Sequence, residues 1–285
     1  MANTDFVLTL TCPERPGIVH GVSGFLVEHG CDIVDSRQFD SRLSERFYMR
    51  VHFAVRREPV TFDRLRQSFA KVAAAYDMDW RMDDAEARPK VLLMVSKSGH
   101  CLNDLLYRWR TGQLRIDIPL IVSNHPDFEP LARSYGIPFE HVPVTKDTKP
   151  AAEARLLELV AEHDVELVVL ARYMQVLSDE LCQKLDGRVI NIHHSFLPSF
   201  KGAKPYAQAF DRGVKVVGAT AHYVTPDLDE GPIIEQEVIR VDHSLGPDEL
   251  AVVGRDAECM ALSRAVQWHV ERRVLLDGHR TVVFR

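Results

Sequence analysis

The hydrophobic pattern changes character near residue 90. Before that point, short apolar runs flank two stretches of helical spacing. Residues 6–11 form a brief apolar run, and Pro13, Pro16 and Gly17 then turn the chain. Residues 18–29 place Val19, Val22, Leu26 and Val27 at helical intervals before Gly30. Strands are predicted at 33–39 and 47–55, and Phe47, Met49, Val51, Phe53 and Val55 share one face of the second. A second amphipathic helix is predicted over 61–76 and a closing strand over 78–82. This order is the ferredoxin-like βαββαβ plan. Residues 84–89 are polar, aperiodic and end at Pro89, which predicts a linker between a domain at 1–83 and a second at 90–285.

From Lys90 onward, continuous apolar runs alternate with helical segments. Strands are predicted at 91–95, 118–122, 142–144 and 167–170, and helices at 102–109, 128–135 and 150–163. Uninterrupted apolar strands are buried on both faces, so the repeat predicts a mostly parallel α/β sheet covered by helices. No G-x-G-x-x-G follows any of these strands, which disfavours dinucleotide binding. The loop at 96–101 holds one glycine followed by His100 and Cys101, a poor cradle for phosphate. Adjacent residues rarely aim at each other, so His100 and Cys101 do not read as a nucleophile pair. Residues 170–177 are irregular and mixed, either a loop packed on the core or an apolar wall for a flat heterocycle. Residues 247–276 read as one long amphipathic helix, with Gly278 turning the chain into a last strand at 281–284.

The candidate chemistry lies at 188–198 and 220–232. Asn191 and His193 alternate with Ile190 and Ile192, so an amide and an imidazole emerge on one face of a strand that ends in a loop punctuated by Pro198 and Gly202. Gly218, Thr220 and His222 share a face of the next strand, which turns through Pro226, Asp227, Asp229, Glu230, Gly231 and Pro232. The prolines stiffen the loop around Asp229, a condition for holding its carboxylate against an imidazole. An amide donor, an ionisable ring and a carboxylate are the parts needed to attack an acyl carbon and hold the oxyanion that forms. Taken as loop residues alone, Asp227 and Glu230 are solvated charges. His193, His194 and His222 have no carboxylate or cysteine at ligand spacing, so no metal is predicted. Ser195 lacks a nucleophile elbow, which disfavours a serine hydrolase.

Composition narrows the partners. A formal charge of −6 with 46% hydrophobic and 27% charged residues describes a globular chain, and with no long Lys/Arg run its bulk electrostatics disfavour a nucleic-acid partner. Five scattered cysteines with no C-x-x-C predict neither a disulfide framework nor a zinc-thiolate site. No leader pattern or apolar run of membrane-spanning length is present, so the expected location is cytoplasmic, without a membrane partner.

Two resemblances sharpen these expectations. The segment TCPERPGIVHGVSGFLVEHGCDIVDSRQF resembles an ACT domain over roughly residues 5–82. That likeness implies a pairing role and a small regulatory ligand near Arg15, Gly17 and Ile18. INIHHSFLPSFKGAKPYAQAFDRG and TAHYVTPDLDEGPII resemble the folate-dependent formyltransferases over about residues 90–242. This likeness implies catalytic roles for Asn191, His193 and Asp229. It also implies a folate pocket at Met174, Gln175, Val176, Leu177, Thr225 and Asp227, with His222 nearby and Lys149 approaching the substrate. Ser195 departs from the His-Pro-Ser common in relatives, which bears on loop conformation. With HCLNDLL and the tail from Gly254, the whole chain is similar to the formyltetrahydrofolate deformylase family. The implied fold is an ACT domain followed by a mostly parallel formyltransferase-fold domain. The implied substrate is a tetrahydrofolate derivative, with no tightly bound cofactor and a homo-oligomer formed through both domains. Two alternatives remain open: formyl transfer to an amine such as glycinamide ribonucleotide, and a folate-sensing regulator without turnover.

Overall fold

A computed structural model describes residues 5–56, 61–199 and 205–285. Gly202 lies outside the described residues. The chain divides into two compact units, Met1–Ala87 with Glu271–Asp277 and Val282–Arg285, and Arg88–Val270 with Gly278–Thr281.

The first unit follows the predicted plan: β1 (Asp5–Pro13), α1 (Ile18–Glu28), β2 (Cys31–Ser41), β3 (Arg46–Val55), α2 (Phe62–Ala75) and β4 (Asp79–Asp84). The sheet is antiparallel, in the order β2-β3-β1-β4. Leu8, Val51 and Phe53 bury one face against Val22 and Phe25 of α1 and Leu65 and Phe69 of α2. Phe69 sits edge-on to both Phe25 and Trp80, with ring centroids 5.1 and 4.9 Å away. Thr61 caps α2, its hydroxyl accepting from the Arg64 amide. The residues expected as linker begin inside this unit: β4 reaches Asp84, and the Ala85 amide donates to the Asp5 carbonyl.

The second unit contains β5 (Val91–Val95), α3 (His100–Arg110), β6 (Ile121–Ser123), α4 (Glu129–Ser134), β7 (Phe139–His141), α5 (Lys149–Glu162), β8 (Leu167–Leu170), α6 (Asp179–Lys184), β9 (Val189–His193), α7 (Pro205–Asp211), β10 (Val216–Tyr223), β11 (Ile233–Arg240) and α8 (Pro247–Val270). Its seven-stranded sheet runs β11-β10-β9-β8-β5-β6-β7. The strands from β5 to β9 are parallel, and β10 and β11 add on antiparallel. Every residue of β5 and β8 is buried, as continuous apolar runs require. The order reverses between β5 and β8, which makes a crevice at their carboxyl ends.

Two element expectations are corrected. The strand expected at 142–144 lies three residues earlier as β7, because Phe139 pairs with Ile121 and Pro143 has no amide to continue the ladder. The last helix ends at Val270 and not at Leu276; Arg272 takes a left-handed φ of 57°, and the chain forms the hairpin β12 (Val274–Asp277) and β13 (Arg280–Val283). The C-terminal residues were expected wholly in the second domain, yet 271–277 and 282–285 cluster with the first unit. Arg50, buried on β3, explains part of this: its Nε and Nη2 donate to the Glu271 carbonyl at 3.2 and 3.1 Å.

Candidate active site

β9 is flanked by β8 and β10, so Val189, Ile190 and Ile192 are buried while Asn191 and His193 face a cavity. In the antiparallel register with β10, His222 stands directly opposite Asn191 and Thr220 opposite His193. Cross-strand neighbours lie within reach of each other's side chains, and Asn191 Nδ2 is 3.2 Å from His222 Nε2. His222 Nδ1 is 2.9 Å from the Tyr223 carbonyl and must donate there, so Nε2 accepts from the Asn191 amide. Burial lowers the His222 pKa below its ordinary value, which keeps the ring neutral. One Asn191 N–H remains for a ligand.

The Asp229 loop is held by close backbone approach. A Cβ on Gly231 would lie 1.7 Å from the Tyr223 carbonyl oxygen, so only glycine lets the loop press against β10. The Tyr223 amide donates to the Pro232 carbonyl at 3.0 Å, and the Thr225 hydroxyl and Glu230 amide both donate to the Asp227 carbonyl at 3.2 Å. Asp229 itself has a left-handed φ of 57°. Its Oδ2 stands 3.3 Å from His193 Nδ1 and its Oδ1 3.8 Å from His222 Nε2. The hydrogen bond with His193 outweighs burial and holds the Asp229 carboxyl below the usual range, so it is ionised at neutral pH. His193 Nε2 is buried, and it meets no hydrogen-bond partner among the described residues. One ring nitrogen thus faces the acid while the other is left for a ligand.

The loop after β9 is pinned from β10. The Leu197 amide donates to Thr220 Oγ1, which donates to the Ser195 carbonyl, while Gln236 Nε2 reaches both Leu197 O and Thr220 Oγ1. The Ser195 hydroxyl donates to the Ser199 carbonyl at 2.9 Å, a structural role.

The cavity measures about 410 Å³ and brings together most of the expected residues. Asn191, His193, His222 and Asp229 line one part, and Met174, Gln175, Val176, Leu177 and Thr225 line the rest. Met174, Val176 and Leu228 are exposed apolar side chains at its wall, surface suited to a flat ring. Two expected residues are not brought in. Asp227 is off the wall, exposed, and shapes the loop through its carbonyl. Lys149 lines a smaller neighbouring depression shared with Gln175, Val176 and Leu177, its Nζ 3.9 Å from Glu153. In the first unit, Arg15 donates to the Ala75 carbonyl and stacks over Tyr76, Tyr76 donates to the Gly17 carbonyl, and Ile18 is buried in the core.

A second polar cluster had no counterpart in the sequence reading. Glu258 of α8 is 1% exposed; His100 Nε2 is 2.7 Å from its Oε2 and the Tyr206 hydroxyl 2.8 Å from its Oε1. Arg172 Nε lies 3.4 Å from Oε2. Burial works to raise the Glu258 carboxyl, but the His100 hydrogen bond and the Arg172 charge outweigh it and leave it below the usual range. Gly254 admits Tyr206, since a Cβ there would lie 2.1 Å from the phenol oxygen. The available signal was register: Glu258 shares the helix face of Leu250, Gly254 and Leu262, all buried. His100, Cys101 and Glu258 have metal-like spacing. However, both Glu258 oxygens are already engaged and the adjacent guanidinium opposes a second cation.

The formyl transferase family profile matches residues 89–266, and an ACT domain profile matches residues 4–83. A formyltetrahydrofolate deformylase of Corynebacterium sp. (strain P-1) is 59% identical over 98% of both chains. The crystal structure of a formyltetrahydrofolate deformylase from Burkholderia mallei superposes with a TM-score of 0.94 at 56% identity, covering 99% of this chain and 100% of that one. A glycinamide ribonucleotide transformylase from Symbiobacterium toebii matches at TM-score 0.65 and 30% identity, over 70% of this chain and 95% of its own.

Proposed function

The chain belongs to the formyltetrahydrofolate deformylase family, and we propose on that basis that it hydrolyses 10-formyltetrahydrofolate to formate and tetrahydrofolate. The observation that carries this reading is the convergence of Asn191, His193 and Asp229 on one cavity, with His193 Nε2 buried and unpartnered among the described residues. The pterin lies along residues 174–177 and Thr225, and the formyl group reaches the polar end. The formyl oxygen accepts from the Asn191 N–H that His222 does not use, and from His193 as negative charge develops. Removing one such donor costs about 2.7–4 kcal/mol of transition-state stabilisation. Ionised Asp229 orients the attacking water and takes its proton, and His193 delivers a proton to N10 as the C–N bond breaks. The 3.3 Å contact lets the two groups exchange that proton.

Water is favoured over an amine acceptor because the loop after β5 is already engaged internally. The Ser96 hydroxyl donates to Asn124 Oδ1 and accepts from the Met174 amide, and His100 is bound to Glu258. The assembled catalytic groups speak against a sensor without turnover. The reading needs folate and water, no tightly bound cofactor, and a cytoplasmic setting. The ACT unit would pair with a second copy along edge strand β2, where Ile33, Val34 and Phe39 are exposed. Any regulatory ligand would meet Arg15 and the exposed Gly17, with Ile18 offering only backbone.

The test is incubation with 10-formyltetrahydrofolate in the absence of any amine. Equimolar formate and tetrahydrofolate are expected; retention of the formyl group until glycinamide ribonucleotide is added would replace hydrolysis by transfer.

A further inference from the structure

Arg172 is the charged residue of the cavity wall that the proposed reaction leaves unused. It follows β8 where the strand order reverses, the crevice in which open α/β sheets collect ligands. Its φ is 66°, left-handed backbone that favours glycine, and a long side chain kept there is strain of the kind that persists at functional positions. The turn is fixed around it: the Ser96 amide donates to the Arg172 carbonyl at 3.2 Å, and the Met174 amide to the Ser96 hydroxyl at 2.9 Å.

The guanidinium is held at one edge and left unpaired at another. Its side chain is 14% exposed, and Nε faces Glu258 at 3.4 Å. Neither Nε nor Nη1, both buried, makes a hydrogen bond among the described residues. Glu258 is anchored by His100 and Tyr206, so it fixes the position of the arginine without saturating its donors. On the cavity side, His194 is kept neutral, its pKa brought down to about 4 by burial and then by the charges of Arg172 and His193. The cavity's acid, Asp229, already faces His193. A buried cationic donor in a cavity that makes an anion calls for that anion.

We propose that Arg172 binds a small carboxylate, the formate formed in the cavity, and this rests on the hydrolytic reading above. In that step the water oxygen bonds to the formyl carbon and the C–N10 bond breaks, leaving its electron pair on nitrogen. One water proton ends on N10 and the second leaves as formic acid ionises, so tetrahydrofolate, formate and a proton are produced without oxidant or reductant. Formate differs from the bound formyl group in having two equivalent charged oxygens, which match the planar guanidinium fork. Arg172 therefore grips the product carboxylate more strongly than the neutral substrate.

The experiment is a titration of the full chain with carbon-13 formate, followed by NMR line broadening, for the wild type and Arg172→Gly. Glycine relieves the left-handed backbone but leaves Glu258 without the guanidinium beside it, so the two proteins are compared at a temperature where a thermal melt shows both folded. Formate affinity should fall at least roughly tenfold, and added guanidinium chloride at millimolar concentration should restore it. Equal formate binding in the folded variant, no formate binding by the wild type, or no rescue by guanidinium would overturn the proposal. Should Arg172→Gly fail to fold, Arg172→Lys keeps the charge and loses the fork; weaker formate binding supports the assignment and unchanged binding overturns it. The titration requires no turnover. Formate bound through Arg172 by a protein that releases none from 10-formyltetrahydrofolate would refute the hydrolytic reading alone.

Discussion

Two buried polar clusters occupy the second unit, built from similar residue types and differing in where they are incomplete. Asn191, His193, His222 and Asp229 come from two strands and a loop, and they leave His193 Nε2 at the cavity without a partner among the described residues. Glu258, on a long helix, has one oxygen bound by His100 and the other by Tyr206. Both carboxyls are held below their usual range, yet the Asp229 side chain is 14% exposed and that of Glu258 1%. An acid and an imidazole make a reactive centre where their hydrogen bonding stops at a cavity, and a structural post where it closes on itself. The second cluster opens toward the cavity at Arg172.

Separating chemistry from stability would break this contrast most sharply. Asp229→Asn should lower kcat by about 10²–10⁴, with folate affinity and melting temperature nearly unchanged, in a steady-state assay paired with a thermal melt. Near-normal turnover would erase the difference between the clusters. Glu258→Ala should do the reverse, destabilising the fold by about 3–5 kcal/mol in urea denaturation, because Arg172 is left buried without its counter-charge.

The pH dependence of stability sharpens the comparison. His194 lies beside His193, with ring centroids 5.2 Å apart, and its pKa falls from an ordinary 6.5 to about 4, by burial first and then by the charges of Arg172 and His193. The unfolded chain therefore binds the proton first on acidification. The contribution of His194 is complete above pH 6.5 and is lost progressively as pH falls toward 4, by up to about 3 kcal/mol. Denaturation series on the wild type and His194→Asn should show this slope flattened in the variant. The same slope in both would remove His194 from the account.

The first cluster was legible in the sequence because each part is local. Alternation put Asn191 and His193 on one face, and prolines bracketed the Asp229 loop. Backbone detail then separates Asp229 from Asp227: the close approach at Gly231 and the left-handed φ of Asp229 turn one carboxylate inward and leave the other off the wall. The second cluster joins residues 100, 172, 206 and 258, which no short window contains. Only a carboxylate on the apolar face of α8 hinted at it. The end of that helix and the position of β7 were displaced for a related reason, since strand pairing and the acceptor need of Arg50 are set by distant parts of the chain.

The smallest effect belongs to the ACT turn, where Arg15 and Tyr76 donate to backbone carbonyls near the surface. Tyr76→Phe removes the 3.0 Å hydrogen bond to the Gly17 carbonyl and should cost about 1 kcal/mol in denaturation, with kcat unchanged. A loss comparable to that of Glu258→Ala would place this turn among the structural posts.

The most direct test of the open cluster is a turnover of 10-formyltetrahydrofolate in oxygen-18 water, with the formate analysed by mass spectrometry. One solvent oxygen per formate is predicted, the other coming from the formyl group. Formate released without solvent oxygen would mean that His193 and Asp229 do not direct water to the formyl carbon.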